Sequence, residues 1–544
     1  MTTVSQLTEL LSEGYMAAQA GIILLLFITG FIFAKASMGR MHGGEAGIVL
    51  LSYPSGLALF SVTGYVMLCL GIPFNTWTVL GVMTLVTAAG IYVIIHKNRM
   101  VNINQVNINN AVRNEKRDDG NVVDINNHKM RIFLYITVLA GVLLLSIMLT
   151  SNVFRVAVDN DSFFYFSAYP NAIVSEGRYI KYFDVFLTDA APIGSIVQTL
   201  PYLFGFSETF GIQYFLDLNF LLIFLYALFC ELSETVGRRG ALICSLATTL
   251  FLITSSAYLT TAKWIMAGVY FMSYYFITAY LGYSASEKNS KDRPYPLLAV
   301  MIVMTSMLRH EGVMLSVVLV LLLSALKGYK GNELALCCVL PMLAAASLYY
   351  IKVFVVLDVH PLYAFLTPYK AAFMVFVMVC CLLYLLFVRD RLPENAAGSL
   401  YVVLPLLIIL ANLGIMVLRG ERYLGNLYMF YLNLRIGAGW GYFGYIAVFA
   451  VLLLVVRAVS GKEAYVLFFD SLMVSYVFSV LLVSFGRGDS LRKGVGDSGN
   501  RVMLTAVPLI VFAVALRMLT KPGNTAFLIK KGRAEMQNNN QDCG

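Results

Sequence analysis

The chain has 544 residues, of which 59% are hydrophobic and only 13% are charged, and its mean hydropathy is +0.77. So few charges cannot cover the surface of soluble domains of this total length, and the composition also excludes disordered, collagen-like and disulfide-scaffold chains. The net charge of +9 fits lysines and arginines retained in cytoplasmic loops better than a nucleic-acid surface. The sequence therefore predicts an all-α, polytopic bundle of transmembrane helices.

Apolar runs of roughly 20 residues, the length that crosses a bilayer as a helix, recur along the whole chain. Glu9 and Glu13 stand before the first run, where a cleavable signal would need positive charge, so this span is expected to be retained. Together with two ambiguous stretches, the runs predict about 13 to 15 spans. The clear candidates are 15–36, 46–71, 76–95, 131–151, 212–232, 241–262, 264–285, 332–357, 369–388, 398–418, 439–457, 463–486 and 501–519.

The two ambiguous stretches are 190–206 and 295–326. The first is short and is interrupted by Pro192 and Pro201. The second is split by the charged triplet 309–311 and predicts either a short hairpin or one broken crossing.

The basic, Asn-rich stretch 97–130 predicts a disordered cytoplasmic linker. It separates an N-terminal three-helix membrane unit, 1–96, from a main membrane module, 131–519. The positive-inside rule then puts segment 152–189 outside as an external loop and the tail 520–544 in the cytoplasm.

The external loop contains the most informative segment. Asp159 and Asp161 sit at the mouth of a predicted span, and a carboxylate there could act as general base for an incoming hydroxyl of a lipid-linked reaction. The alternative is a solvated loop in which Asp161 only caps the following helix. That helix is predicted to lie in the membrane interface, because apolar side chains follow at helical spacing: Phe163, Phe166, Tyr169 and Ile173.

Arg309 and Glu311 stand inside an apolar run, where charged side chains usually face a cavity or each other. They could form a pair, or Arg309 could face a phosphate; the alternative is a hairpin turn that only reaches the interface. Arg501, beside Asn500, and Lys263, between two spans, could likewise bind a lipid phosphate or simply snorkel.

Two further groups of residues carry weaker signals. The predicted outer loop 419–438 holds arginines and aromatic residues that suit sugars and phosphates, but an ordinary aromatic belt is favoured: Arg419, Arg422, Tyr428, Tyr431 and Arg435. The remaining intramembrane charges mostly lie near helix ends, where snorkelling explains them, although Asp217 and Asp470 have no assigned role: Asp217, Glu231, Lys352, Asp470 and Arg517.

The order of these features resembles the GT-C superfamily of integral membrane glycosyltransferases. Segment 159–165 resembles the acidic motif of the first outer loop, 172–178 the end of its juxtamembrane helix, and 188–193 the proline-bearing entry to the next membrane segment. Segment 309–312, Arg-His-Glu-Gly, is similar to an Arg-Pro-Glu-Gly element of arabinofuranosyl- and mannosyltransferase-like members, with His310 in the place of proline. Asn500 and Arg501, followed by Pro508, are similar to a late Arg…Pro element.

The resemblance implies a GT-C-like fold and an inverting transfer of a sugar from a polyprenyl-phosphate-linked donor to an envelope glycan, lipid or protein acceptor. It implies Asp161 as general base, Asp159 as the other catalytic candidate, and Arg501, Arg309 and Lys263 around the donor phosphate. Further substrate-binding candidates are Glu311, Glu176, Tyr165 and Asn500. The pair Asp159 and Asp161 permits a divalent metal without requiring one.

The implied location is the cytoplasmic membrane of a bacterium, crossed many times, with the active site facing outward and no nucleic-acid partner. Two alternatives stay open. An envelope polysaccharide polymerase or ligase would use the arginines of segment 419–438. A lipid-linked-sugar flippase or transporter would show internal repeats and polar sites at the midplane.

Overall fold

The computed structural model describes residues 15–38, 44–111, 167–180, 184–189, 191–205, 210–263, 267–286, 288, 293–359, 366–460, 464–486 and 498–519. Within these residues every regular element is helical and no strand occurs. Ten helices are long and apolar enough to cross a membrane, or eleven if one bent pair is a single span. The predicted all-α, multi-pass class is therefore confirmed for the described part of the chain.

The ten helices coincide with predicted apolar runs. They are Ala20–Ser37, Glu45–Leu70, Thr76–His96, Ile212–Ser233, Thr235–Thr254, Gly331–Val356, Pro368–Arg391, Ala396–Leu418, Leu467–Phe485 and Gly499–Leu519. The bent pair, Ser256–Ala262 and Ala267–Ser286, includes the predicted run 264–285. The predicted run 131–151 lies outside the described residues.

Shorter helices complete the described chain. They are Tyr169–Glu176, Asp184–Asp189, Pro192–Val197, Thr199–Leu203, Tyr295–Met307, Glu311–Ser324, Glu394–Gly398, Gly420–Arg435 and Phe443–Ser460. The ambiguous stretch 190–206 is thus two short, largely buried helices and not a crossing, because two prolines interrupt it.

The chain divides into two compact units. Unit 1 comprises Met1–Ile223, Ala262–Ser316 and Lys330–Leu386, and unit 2 comprises Phe224–Thr261, Val317–Tyr329 and Phe387–Gly544.

Buried tyrosines tie the N-terminal helices of unit 1 to later ones. Tyr53 donates a hydrogen bond to the carbonyl oxygen of Ile212 at 3.0 Å, and Tyr65 donates to that of Ala345 at 2.5 Å. In the opposite direction, Tyr274 donates to the carbonyl oxygen of Pro54 at 2.7 Å. A hydroxyl buried among apolar side chains needs such a partner, so these bonds fix which helices lie together.

Glycines let the first two helices of unit 1 pack with their backbones in direct contact. A Cβ placed on Gly30 would lie 1.8 Å from the carbonyl oxygen of Ser52, and one on Gly56 would lie 1.9 Å from that of Leu26. No side chain fits at either position. Small residues at membrane helix crossings commonly permit this close approach.

Replacing Gly56 by alanine is expected to lower the stability of the protein by about 3 kcal/mol, the upper end of the range for overpacking, because the neighbouring atom is backbone and cannot swing aside. Thermal unfolding of the purified protein in micelles measures the loss. Gly81→Ala is the matched control, since nothing lies within 4 Å of a Cβ there. Equal melting of Gly56→Ala and wild type would contradict the tight crossing.

Aromatic packing and one ion pair hold the core of unit 2. The ring of Phe512 contacts Phe469 edge-on at 4.8 Å between centroids and Phe224 at 5.9 Å. Close by in sequence, the guanidinium of Arg517 donates two hydrogen bonds to one carboxylate oxygen of Asp470. No partner for either charge could be assigned from the sequence, and the structure pairs them.

Two segments differ from the sequence-based expectation. The helix Thr76–Ala111 continues into the stretch predicted as a disordered linker, because a helix that is already nucleated adds one hydrogen bond for each further residue. Most of the predicted outer loop 419–438 is the helix Gly420–Arg435. The sequence does not indicate this helix, because its polar residues do not follow the pattern of a membrane span.

Candidate functional site

The acidic segment lies outside the described residues. This applies to Asp159, Asp161 and Tyr165, so their predicted roles stay predictions. The described chain begins again at Ser167 and forms the helix Tyr169–Glu176, where the sequence predicts an interfacial helix.

This short helix is packed against protein on its apolar face. Tyr169 and Ile173 are both buried. Gly177 ends the helix with φ of 65°, a left-handed conformation that glycine adopts at little cost. The predicted apolar stripe therefore exists at Tyr169 and Ile173, but it contacts neighbouring helices and not lipid.

Three contacts fix the position of segment 167–180 within unit 1. The hydroxyls of Ser167 and Tyr202 are 2.9 Å apart, and the amide of Phe74 donates to the carbonyl oxygen of Gly177 at 2.9 Å. The buried ring of Tyr179 packs edge-on against Tyr349. Segment 167–180 is thus held against the helices of unit 1 at both of its ends.

The charged triplet 309–311 lies at a sharp break between the helices Tyr295–Met307 and Glu311–Ser324. A Cβ on Gly312 would lie 2.6 Å from the carbonyl oxygen of Thr305, although seven residues of continuous helix would separate them by about 10 Å. The stretch 295–326 is therefore not one continuous helix, and both interpretations made from the sequence, a short hairpin and one broken crossing, contain this break. Glycine is required at 312 because the backbone of Thr305 leaves no space for a side chain.

The charged triplet 309–311 meets the segment around Thr188 at a place that we name the Thr188 junction. It consists of residues 187–189, the triplet 309–311, Leu366 and Lys370. The backbone of Thr188 hydrogen-bonds the buried ring of His310, and its carbonyl oxygen accepts from the amide of Leu366 at 3.0 Å. One residue earlier, the carbonyl oxygen of Leu187 accepts from the Tyr349 hydroxyl at 2.5 Å.

The Thr188 junction carries a mixed set of charges. Nε of Arg309 lies 3.5 Å from a carboxylate oxygen of Glu311, and both side chains are largely buried. Lys370 is close enough for its charge to act on His310, and Asp189 is exposed on the other side of Thr188. Two predicted site residues, Arg309 and Glu311, are therefore brought together beside a segment that the resemblance also marked.

The guanidinium of Arg309 retains its hydrogen-bonding capacity. Although Glu311 is near, the geometry is not that of a hydrogen bond, and Nε of Arg309 has no hydrogen-bond partner within the described part of the chain. A buried donor without a partner costs about 1–3 kcal/mol. An anionic ligand at this position would remove that cost.

Two lysines of unit 1 escaped the sequence analysis as site candidates. Lys370 lies in the first turn of the helix Pro368–Leu383 and contributes to the Thr188 junction. Lys352, which the sequence analysis attributed to snorkelling, is half-buried, and its ammonium nitrogen lies beside Gly71. The sequence shows a lysine in or beside an apolar run, but the neighbours of that lysine come from distant segments.

Asn500 of unit 2 is buried and its amide is used within the fold. It accepts a hydrogen bond from the indole of Trp440 at 2.7 Å and donates to the carbonyl oxygen of Ala438 at 3.0 Å. Through these two hydrogen bonds, Asn500 links the glycine-rich turn 436–442 to the start of the last span. A structural role therefore accounts for the contacts of Asn500 without a substrate.

The remaining described site candidates are Arg501, Glu176 and Lys263. Arg501 is half-buried in unit 2, next to Asn500. Glu176 is exposed and lies 3.9 Å from Arg178, an ion pair that solvent screens. Lys263 ends the helix Ser256–Lys263, and its side chain is outside what the structure describes.

Among the described residues, no group of three or more His, Cys, Asp or Glu side chains could hold a metal ion. The pair Asp159 and Asp161, which permits a divalent metal without requiring one, is not among these residues.

Comparisons of the chain with models of protein families, with curated proteins and with solved structures give no match. The resemblance to the GT-C superfamily therefore rests on the sequence motifs. On its helices, the chain is a multi-pass membrane protein whose apolar surface contacts the lipid bilayer.

Proposed function

We propose that the protein is a membrane glycosyltransferase of the GT-C type. It moves a sugar from a polyprenyl-phosphate-linked donor to an envelope glycan, lipid or protein acceptor on the outer face of a bacterial cytoplasmic membrane. The observation that supports the proposal most is the Thr188 junction, where a segment that follows the acidic pair in the sequence contacts the charged triplet 309–311.

The reaction is a single displacement. The acceptor oxygen bonds to the anomeric carbon from the face opposite the donor phosphate, the bond between that carbon and the phosphate oxygen breaks, and polyprenyl phosphate leaves with the electron pair. The acceptor proton passes to the carboxylate of Asp161. The configuration at the anomeric carbon is inverted.

Arg309 holds the donor phosphate in this proposal. Its side chain is largely buried, carries a fixed charge beside Glu311, and has one donor, Nε, that hydrogen-bonds to no described residue. Such a group stabilises a leaving phosphate more strongly at this position than in water, because the surroundings have a low dielectric constant. Arg501 and Lys263 remain proposed phosphate ligands on the strength of the resemblance.

Replacing Arg309 by glutamine is expected to raise the KM for the donor roughly 10- to 100-fold, as the loss of hydrogen bonds to a charged group predicts. Initial rates at several donor concentrations in reconstituted vesicles measure this. Arg391→Gln is the control, because Arg391 is an exposed arginine remote in sequence from the junction. An unchanged KM would remove Arg309 from the donor site.

The function itself is tested by the composition of the envelope glycans in three strains. One strain carries the wild-type gene, the second a deletion, and the third Asp161→Asn at a matched protein level. We expect one sugar to disappear from both the deletion and the variant, and the missing sugar identifies the donor. If only the deletion changes the glycans, Asp161 is not the base and the transferase proposal fails.

The same strains distinguish the alternatives. A flippase or transporter would keep its activity in Asp161→Asn. A polymerase or ligase would instead lose activity when Arg419, Arg422 and Arg435 are replaced, and long chains would be lost while the sugar composition stayed constant.

A further inference from the structure

The helix Gly420–Arg435 buries polar side chains and exposes apolar ones, which is the opposite of what is expected of a helix in water. Its buried face includes polar residues, Tyr423, Asn426 and Asn433. The exposed face is a stripe at alternating spacings of three and four residues, which places the members one above the other on a helix: Glu421, Leu424, Tyr428, Tyr431 and Arg435.

On the buried face, Tyr423 is hydrogen-bonded to a neighbouring helix of unit 2. The hydroxyl of Tyr423 donates to the side-chain oxygen of Asn412, whose amide donates to the carbonyl oxygens of Ile408 at 2.8 Å and Phe478 at 3.1 Å. These bonds fix the rotation of the helix. The apolar and aromatic side chains are consequently held outward and cannot turn into the core.

The exposed stripe is largely apolar. Leu424, Tyr428 and Tyr431 are each more than half exposed, and Tyr442 and Tyr445 continue the same character after the helix. A helix in water would gain by burying such residues. Tyrosine side chains with an apolar ring and a polar end are typical of the boundary between the hydrocarbon and the headgroups.

The position of the helix along the chain fits the same boundary. It begins directly after Leu418, where the span Ala396–Leu418 ends, and only Arg419 lies between the two helices. Val417 and Leu418, the last residues of that span, are themselves highly exposed. The helix therefore starts at the depth at which a membrane crossing finishes.

Positive charge borders this face. Segment 419–435 contains three arginines and one acidic residue. Arg419 and Arg435 are exposed at the two ends of the helix, and Arg422 lies over the ring of Phe485 at 5.1 Å. Cations at this level attract anionic lipid headgroups.

We propose that the helix Gly420–Arg435 is an interfacial binding surface for acidic phospholipids, with Leu424, Tyr428 and Tyr431 in the bilayer boundary and Arg419 and Arg435 on the headgroup phosphates. The surface belongs to unit 2 and is independent of the proposed transfer reaction. It assigns lipid binding to arginines that the polymerase alternative would use for a glycan.

A photo-crosslinking experiment on the full-length protein tests the proposal. p-Benzoylphenylalanine replaces Tyr428, and the protein is placed in nanodiscs of equal parts phosphatidylglycerol and phosphatidylcholine. After irradiation, mass spectrometry identifies the adducts. The control probe replaces Phe376, an exposed residue within the span Pro368–Arg391.

At position 428 we expect lipid adducts enriched in phosphatidylglycerol by about fivefold for each arginine near the surface. The double variant Arg419→Gln, Arg435→Gln is expected to bring the ratio close to one, and Arg419→Lys, Arg435→Lys to retain the enrichment. The probe at 376 is expected to show no preference. Enrichment in the lysine variant would show that replacing both arginines does not by itself disrupt the fold of this helix.

Adducts to protein or to soluble glycan at position 428 would overturn the proposal in favour of a partner or an acceptor. A phosphatidylglycerol enrichment that persists in the glutamine variant would overturn the role of the arginines. Equal enrichment at positions 428 and 376 would show that the preference is general and not a property of this helix.

Discussion

Purified Asp161→Asn protein, reconstituted in lipid vesicles, is expected to transfer sugar roughly 10²- to 10⁴-fold more slowly than wild type, which is the contribution of a general base. The amide cannot accept the proton of the acceptor hydroxyl, whereas its size and its hydrogen-bonding atoms are otherwise similar. Donor binding does not involve proton transfer, so the KM for the donor should change little. The measurement is the single-turnover rate with saturating donor and acceptor.

Asp159→Asn provides the matched comparison, because it lies two residues away and carries the same charge. If Asp161 is the base, Asp159→Asn loses much less activity and retains the pH dependence of the wild-type rate. A larger loss in Asp159→Asn would exchange the two roles. Full activity in both variants would contradict base catalysis by this segment.

Replacing Asp470 by alanine is expected to destabilise unit 2 by about 3–5 kcal/mol, because it leaves the charge of Arg517 within the helix bundle without its partner. The carboxylate of Asp470 is fully buried, and the side chain of Arg517 is only 14% exposed. A single hydrogen bond between membrane helices contributes only about 0.6 kcal/mol on average. A loss of several kcal/mol would therefore identify the uncompensated charge as the cause.

Thermal unfolding in micelles, followed by tryptophan fluorescence, to which the buried Trp440 of unit 2 contributes, measures this effect. The double variant Asp470→Leu, Arg517→Leu is expected to recover most of the stability, because no charge remains to be buried. Glu421→Ala removes an exposed acid from the same unit and should leave the melting temperature unchanged. A double variant as unstable as Asp470→Ala would show that the pair itself holds the helices together.

The spans could be predicted from the sequence because their signal is local. About 20 consecutive apolar residues suffice to identify a crossing, and each of the ten long helices lies at such a run. The positions of two breaks could be predicted for the same reason: Pro192 and Pro201 lie in 190–206, and the charged triplet 309–311 interrupts 295–326, although the sequence left the path of both stretches open.

The Thr188 junction could not be predicted, since its members come from three separate parts of the chain. Nothing near Thr188 indicates that its backbone meets His310 or Leu366, and nothing near Tyr349 indicates a bond to Leu187. The pairing of Asp470 with Arg517 was missed for the same reason. Contacts between distant helices depend on packing, whereas the patterns in the sequence describe each helix singly.

The helix Gly420–Arg435 was missed for another reason. The segment is too polar to suggest a span, so its arginines and aromatic residues predicted an outer loop. Its polar residues Asn426 and Asn433 face inward, and Tyr428 and Tyr431 face outward. In a membrane the outer surroundings are also apolar, so the polarity of a helix does not indicate which side is buried.

The segment 295–324 contains two helices of 13 and 14 residues, and each rises only about 20 Å, whereas the hydrocarbon layer is about 30 Å thick. Most of the side chains on both helices are buried in protein, so neither helix faces lipid along its length. The bilayer therefore does not have to match these short helices, and the cost of hydrophobic mismatch, fractions of a kcal/mol per Å, does not arise there. Helices too short to cross a membrane can thus stand within it, because longer spans carry the contact with lipid.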